Sequence, residues 1–202
     1  MFRTQKQLLI RDTSDVQMNG LRCTVTGPRQ IYSEDFSGQI PDSLIVVPQI
    51  KNLSEIGGKF FVSKIVSGNA CAEISAFATK EQAVISWLIL PAIDLDHSAN
   101  EILRFSTKDG FDNGAVLQVL VSTNYDGGNT PWKARWSVLP AIVAKGSVTG
   151  YAKQWVSSGD VSLNHLKGKV SIAFRYEGND PPVQAAKLTT TFRIDNIVVI
   201  GN

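Results

Sequence analysis

Strict two-residue alternation of apolar and polar side chains is the feature that most limits how this chain can fold. In the segment 168–176, four large apolar residues occupy every second position from Val170, and Ser171 and Arg175 fall on the opposite face. A half-buried antiparallel strand has this pattern. No segment predicts a convincing amphipathic helix, and we expect helical turns at most at 81–85 and 97–102.

The same pattern recurs along most of the chain. Further strands are predicted at 59–66, 70–77, 83–90, 101–107, 115–122, 134–139 and 192–200. Turn-forming groups such as Ser67-Gly68-Asn69 separate them. Many short strands between regular turns predict an all-β fold, an antiparallel β-sandwich of the jelly-roll kind.

Residues 28–202 are predicted to form this sandwich, and residues 1–27 stand apart from it. Segments 7–11 and 16–25 look like two strands, and Gly27-Pro28 interrupts the chain after them. They are interpreted either as the last strands of a preceding domain or as an extra hairpin at the edge of the sandwich.

Composition excludes several classes of protein. With 43% hydrophobic and 19% charged residues in 202, the chain can bury a core and is not disordered. The net charge is +2 and the basic residues are scattered, which argues against a nucleic-acid partner. No stretch is long enough to span a membrane, and residues 1–6 do not resemble a signal peptide, so we expect any export signal or anchor to lie outside this sequence.

Two cysteines, Cys23 and Cys71, supply too few soft ligands for a cysteine-bound metal site. Cys71 lies in an apolar stretch, where free cysteine behaves as a small hydrophobic residue. We expect two free buried thiols, and a single disulfide remains the alternative.

Several segments resemble a known family, in the right order over most of the chain. They are YSEDF at 32–36, SWLILPAIDL at 86–95, VLVSTNYDGG at 119–128, SSGD at 157–160, LKGKVSIAFRY at 166–176 and FRIDNI at 192–197. They are similar to the EDF, DWLISPAIDL, VLISTDYDG, SSGDIDLS, GKVYIAFRY and WEIDNIKV segments of the choice-of-anchor J and cleaved-adhesin domains of Bacteroidetes surface proteins. The sequence departs from that pattern at Ser86, which replaces an acid, at Phe192, which replaces a tryptophan, and in a longer insert at 179–188.

This resemblance implies a jelly roll like those of galactose-binding-like domains and carbohydrate-binding modules, exported to the cell surface as an outer-membrane lipoprotein or secreted. The leading hypothesis is a non-catalytic, monomeric module that binds carbohydrate or a host or cell-surface glycoprotein in adhesion. The alternatives are a connecting domain without a small ligand and an ancillary domain of a hydrolase.

Asp195 is the most informative acidic residue, because it lies within a strongly apolar strand. Alternation along 192–200 places it on the face opposite Phe192 and Ile194, together with Ile197 and Val199. A carboxylate on a buried strand is costly unless it is paired or binds a metal.

In jelly rolls of the kind that the resemblance implies, an acid on the last strand meets acids near the first strand around a structural calcium. Glu34 and Asp35 occupy the early position here, so Glu34, Asp35 and Asp195 are the predicted calcium ligands. The alternative is that Asp195 caps backbone amides of a loop or faces water.

Aromatic residues on predicted loops are candidates for sugar contact, since sugars stack on exposed rings while polar side chains reach their hydroxyls. The candidate ligand-binding residues are Tyr125, Asp126, Trp132, Tyr151 and Trp155. The alternative is that these rings pack under loops. Trp87 and Trp136 are expected to belong to the core.

The oxygen-rich segment 109–114 predicts a hairpin turn, with a metal site as the alternative, although its spacing does not match an EF-hand.

The sequence gives little support for catalysis. The two histidines lie beside polar turns, and no nucleophile elbow, zinc-protease motif or phosphate-binding loop is present. We therefore expect no catalytic residues and no enzyme activity, although paired glycosidase carboxylates would need no local motif.

Overall fold

The computed structural model describes residues 15–18, 21–24, 27–183 and 186–202. Within these ranges the chain is built almost entirely from strands, with one short 3-10 helix at Pro131–Lys133. The strands are β1 (Asp15–Met18), β2 (Leu21–Thr24), β3 (Arg29–Glu34), β4 (Lys51–Ile56), β5 (Val62–Val66), β6 (Asn69–Ile74), β7 (Val84–Ile89), β8 (Ile93–Asp94), β9 (Ile102–Gly110), β10 (Val116–Ser122), β11 (Ser137–Val138), β12 (Val156–Ser157), β13 (Val161–Ser162), β14 (Lys169–Gly178) and β15 (Thr191–Gly201).

Two antiparallel sheets pack face to face and confirm the predicted jelly-roll sandwich. The six-stranded sheet has the order β11-β10-β14-β7-β4, and β8 pairs with the start of β14. The seven-stranded sheet has the order β12-β9-β15-β6-β5, and β13 and β3 pair with β9 and β15. Strands β1 and β2 form a separate two-stranded sheet.

The core between the sheets follows the predicted alternation in β14. The four apolar residues of that strand that share a face are fully buried, and they pack against the opposite sheet. Its other face is covered around Ala173, which is fully buried in a second apolar cluster with Trp87 and Leu120. The strand expected to be half-buried is therefore buried on both faces over 170–174 and becomes more exposed on the outer face at Arg175 and Glu177.

A β-bulge in β15 changes which residues face the core. Asn196 has a left-handed backbone with φ of 52°. The register with β9 shifts between Asp195 and Val198. This extra residue returns Ile197 and Val199 to the core face. The prediction that these two share a face with Asp195 is therefore wrong, because alternation cannot anticipate a bulge.

Other differences concern the short elements. As expected, no amphipathic helix forms in the described residues, and the turns allowed at 81–85 and 97–102 are not helical, since β7 begins at Val84 and β9 at Ile102. The segment 16–25 is two short strands, β1 and β2, rather than one. Segment 7–11 lies outside the described residues, and the domain boundary after residue 27 stays a prediction.

A second apolar cluster covers the outer face of the six-stranded sheet. We call it the tryptophan cluster, and it consists of Trp87, Ile89, Leu120 and Ala173 with Tyr125 and Trp136 packed against them. The Trp87 and Trp136 ring centroids are 5.3 Å apart, and the Trp87 indole N–H donates to Glu55 at 2.8 Å. Trp87 is thus buried as predicted, whereas Trp136 is only partly buried, and both lie outside the sandwich rather than between its sheets.

The segment 109–114 connects the two sheets, since β9 and β10 belong to different ones. The prediction of a hairpin turn is therefore wrong. One carboxylate oxygen of Asp112 accepts the Gly146 N–H at 2.7 Å, and the other accepts the Thr190 hydroxyl at 3.0 Å. These bonds fix the crossing between the sheets.

Cys71 is a free, buried thiol, as predicted. Burial raises its pKa to about 12, so the thiol is neutral at physiological pH. The side chain of Cys23 lies outside the described part of the chain, and its state stays a prediction.

Candidate functional site

A charged row crosses the outer surface of the seven-stranded sheet, on the side away from the core. Arg193 on β15 is in register with Glu73 on β6 and with Lys108 on β9. Arg193 Nε donates to Glu73 Oε2 at 2.7 Å, and the two side chains are only 11% and 12% exposed. Because water has little access to either charge, separating the pair would leave both charges poorly compensated, which favours this geometry.

Tyr151 lies flat on this row. The Arg193 guanidinium carbon is 3.7 Å from the centre of the Tyr151 ring, a close cation–π contact. Tyr151 forms a β-bridge with Gly110, and a Cβ at Gly110 would lie 2.4 Å from Tyr151 Cδ1. Glycine is therefore required at position 110 for the ring to reach the sheet.

Two phenylalanines extend the aromatic surface. Phe111 meets Tyr151 edge to face, with ring centroids 5.2 Å apart. Tyr151 is 42% exposed, Phe111 50% and Phe77 71%. These three rings line a cavity of about 520 Å³ together with Lys59, Glu73, Ser75, Thr189 and Thr191, and we call this set the aromatic groove.

Trp155 lies beside the groove rather than in it. The Lys108 ammonium is 5.8 Å from the centre of the Trp155 ring. Tyr151 and Trp155 therefore each stand over one cation of the same charged row, although Tyr151 lines the groove and Trp155 does not.

The other three predicted ligand-binding residues lie elsewhere. Tyr125 belongs to the tryptophan cluster, and its hydroxyl donates to the Gly128 carbonyl. Asp126 accepts the Gly128 N–H at 2.8 Å and lines a separate cavity of about 310 Å³ with Tyr125. Trp132 is partly exposed on the 3-10 helix. The structure thus does not bring the five candidates together, and one of them lies in the groove.

The bulge of β15 holds the predicted metal residues. Asp195 is fully buried, and its carboxylate accepts hydrogen bonds from the Asn196 backbone N–H and from the side-chain amides of Asn196 and Asn69. Glu34 accepts the Phe36 N–H at 2.6 Å. The alternative that Asp195 caps backbone amides describes part of this arrangement, whereas facing water does not.

We call Glu34, Asp35 and Asp195 the acidic bulge, and the charges of the first two act on the third. Burial raises the pKa of Asp195, and the charges of Asp35 and Glu34 raise it further, against the hydrogen bonds from Asn196 and Asn69. A cavity of about 460 Å³ beside the bulge is lined by Glu34, Asp35 and Asn196 among others. Nevertheless, no three His, Cys, Asp or Glu side chains within the described ranges are grouped closely enough to form a metal site by themselves.

Sequence reasoning missed Phe77, Glu73 and Arg193. Glu73 and Arg193 are polar residues that alternate with the core residues Ile74 and Ile194, so their outward direction was readable from the pattern. Their pairing was not readable, because 120 residues separate them.

Comparison with known proteins gives similarity in structure alone. No model of a protein family matches the sequence. No curated protein matches it at a significant level.

Among solved structures, similarity is found to cleaved adhesin domains of Lys-gingipain. The K3 domain from Porphyromonas gingivalis superimposes with a TM-score of 0.56 at 17% identity, covering 87% of this chain and 100% of that one. The K1 domain from the same organism gives 0.51 at 17% identity, with 88% and 99% covered. The K2 domain gives 0.56 at 15% identity, with 83% and 96% covered. The chain shares their fold.

At this level of identity the comparison confirms the sandwich fold that the resemblance implied. Membership of the choice-of-anchor J or cleaved-adhesin family stays a prediction. Separately, no helix in the described part of the chain is long and apolar enough to cross a membrane.

Proposed function

We propose that this protein is a non-catalytic, extracytoplasmic module that binds carbohydrate in the aromatic groove. The observation that carries the proposal is the exposure of Phe77, Phe111 and Tyr151 around one cavity. Large apolar side chains that cluster on a surface around a concave site are typical of ligand-binding grooves. The apolar faces of sugar rings stack on aromatic side chains of this kind.

The groove is held in place before a ligand arrives. Tyr151 rests on Gly110 and is stacked on Arg193, which is itself fixed by Glu73. Phe111 packs edge to face against Tyr151. Because these contacts fix the ring planes, ligand binding orders few side chains and costs little conformational entropy.

Polar groups at the floor of the groove suit sugar hydroxyls. Thr189 and Thr191 are hydroxyl-bearing residues that line it, and the Thr189 hydroxyl already accepts from the Asn113 amide at 2.8 Å. Glu73 also lines it, and beside the oxygen that accepts from Arg193 its carboxylate has a second acceptor oxygen. Ser75 also lines it, but its hydroxyl donates to the Thr189 carbonyl at 2.7 Å. A sugar ring lying on Tyr151 would thus meet donors and acceptors at its edge.

The proposed partner is a carbohydrate, either free or on a host or cell-surface glycoprotein, and the protein is proposed to act in adhesion as a monomer. We propose that the protein is either an outer-membrane lipoprotein at the cell surface or a secreted protein. The fold shared with the cleaved adhesin domains of Lys-gingipain supports the proposed role in adhesion and the proposed location outside the cytoplasm.

A glycan array followed by titration calorimetry tests the proposal. Tyr151→Ala and Phe111→Ala should each weaken binding about tenfold or more, since tenfold corresponds to about 1.4 kcal/mol of lost contact. Trp132→Ala is the matched control, because Trp132 is exposed to the same extent as Tyr151 but lies outside the groove.

Binding that survives Tyr151→Ala but is lost in Trp132→Ala would place the site elsewhere. If no glycan binds, the connecting-domain alternative replaces the proposal. An ancillary role beside a hydrolase would remain compatible with binding in the groove.

We also propose a structural calcium at the acidic bulge. Its support is the set of oxygen donors that calcium prefers, because Glu34 and Asp35 line one cavity and their charges act on the buried Asp195. Backbone carbonyls would have to complete the coordination, since the carboxylates alone are not grouped as a metal site. Bound there, calcium would offset the mutual repulsion of the three carboxylates and tie β3 to β15.

Thermal unfolding with calcium and with EDTA tests the metal. Saturation at a hundred times Kd stabilises the native state by about 2.7 kcal/mol, which corresponds to a rise in Tm of roughly 5 to 10 °C. Asp195→Ala should abolish the rise, whereas Asp126→Ala, in an exposed turn, should retain it. An identical Tm in both conditions would remove calcium from the proposal and leave the groove unaffected.

A further inference from the structure

The aromatic groove carries an unbalanced positive charge. Glu73 lines it, but this carboxylate is already paired with Arg193. Lys59 lines it too, and within the described part of the chain its ammonium has no carboxylate partner. A cation on the wall of a partly apolar cavity is therefore left for a ligand.

Lys59 is anchored at its backbone. The Ser86 hydroxyl donates to the Lys59 carbonyl at 2.8 Å. The preceding turn is pressed against β7, since Gly57 has φ of 81° and a Cβ there would lie 2.5 Å from the Ala83 carbonyl oxygen. The base of the Lys59 side chain is thus fixed beside the groove, and its flexible stem can follow a ligand.

The charged residues around the groove add to its positive electrostatic potential and do not cancel it. The cations on this face of the sheet and at the groove include Lys59, Lys64, Arg104, Lys108 and Arg193, and the carboxylates include Asp42, Glu73, Asp160 and Asp195. Asp42 pairs with Lys64, Asp160 with Arg104 and Glu73 with Arg193, and among the described residues Lys59 and Lys108 have no carboxylate partner. Asp195 is fully buried and held by Asn69 and Asn196 at the acidic bulge.

We propose that the ligand of the groove is an anionic sugar, stacked on Tyr151 and Phe111 with its charged group bound by Lys59. This inference rests on the proposed function and narrows its substrate class. An ammonium group is a compact point charge without the planar fork of arginine. Lys59 therefore suits a carboxylate, as in uronic or sialic acids, and equally a sulfate ester.

A glycan array with matched neutral, uronic, sialylated and sulfated oligosaccharides tests this inference and separates the two anionic groups. Anionic glycans should bind about tenfold more tightly than their neutral counterparts, and the difference should shrink at high salt. Lys59→Gln should reduce the anionic glycans to the level of the neutral ones, and Lys59→Arg should restore most of the preference.

Lys133→Gln is the matched control, because it removes the same charge beside Trp132, away from the groove. Neutral glycans that bind as well as anionic ones, and are lost in Tyr151→Ala, would overturn the charge inference and retain the proposed function. No binding of any glycan, or binding unaffected by Tyr151→Ala, would overturn both.

Discussion

The tryptophan cluster and the aromatic groove lie on opposite outer faces of the sandwich and are built from similar parts. Each places an arginine from a central strand over an aromatic ring, Arg175 over Trp87 at 5.4 Å and Arg193 over Tyr151 at 3.7 Å. Trp87 is nevertheless 3% exposed, whereas Tyr151 stays open to solvent.

The difference comes from what lies above each ring. Trp136 and Tyr125 stack over the first face and close it, with centroids 5.3 and 5.5 Å apart in succession. Phe111 meets Tyr151 edge to face, and both rings stay exposed to solvent. The same residue types thus make a small core on one sheet and a binding surface on the other.

Replacing Trp87 and Tyr151 by alanine should give the largest difference between the core role of one ring and the binding role of the other. Trp87→Ala should lower the free energy of unfolding by about 3–5 kcal/mol, because it leaves a cavity under Trp136. Tyr151→Ala should cost less stability, about 1 kcal/mol, and act on glycan binding instead. Urea unfolding of both variants measures this, and equal losses would contradict the distinction.

Replacing the two arginines should give the next largest difference. Arg193→Met should cost about 3 kcal/mol, since it leaves the poorly exposed Glu73 without its partner. Arg175→Met should cost about 1 kcal/mol or less, because its partner Glu177 is largely exposed. Urea denaturation of both variants measures these losses of stability. The double variant Glu73→Gln/Arg193→Met should recover part of the stability lost in Arg193→Met, because no unpaired carboxylate is left.

Gly110→Ala should cost less stability than Trp87→Ala and should also weaken glycan binding. The added methyl group meets Tyr151 Cδ1 and lifts the ring off the sheet, at about 1–3 kcal/mol. Glycan affinity should fall roughly tenfold, read by calorimetry. Gly38→Ala, where a Cβ meets nothing within 4 Å, should change neither quantity. Unchanged affinity in Gly110→Ala would show that the groove does not depend on this contact.

Local pattern was sufficient for much of the fold. Alternation identified β14 and its core-facing residues, and turn residues between short strands indicated a sandwich. It also marked Tyr151 as an aromatic residue on a connecting segment, where it now lines the groove. β4 was missed because its side chains are all partly exposed and show no clear alternation.

The sequence by itself determined the all-β class, the inward residues of the long strands and the unusual position of a carboxylate in β15. The tertiary structure decided the rest. The bulge at Asn196 decided which residues of β15 share a face with Asp195. Sheet pairing brought Glu73 to Arg193, and the crossing at 109–114 brought Phe111 to Tyr151. These contacts join segments far apart in the chain, and their geometry depends on strand register and on covering loops, which no local periodicity encodes.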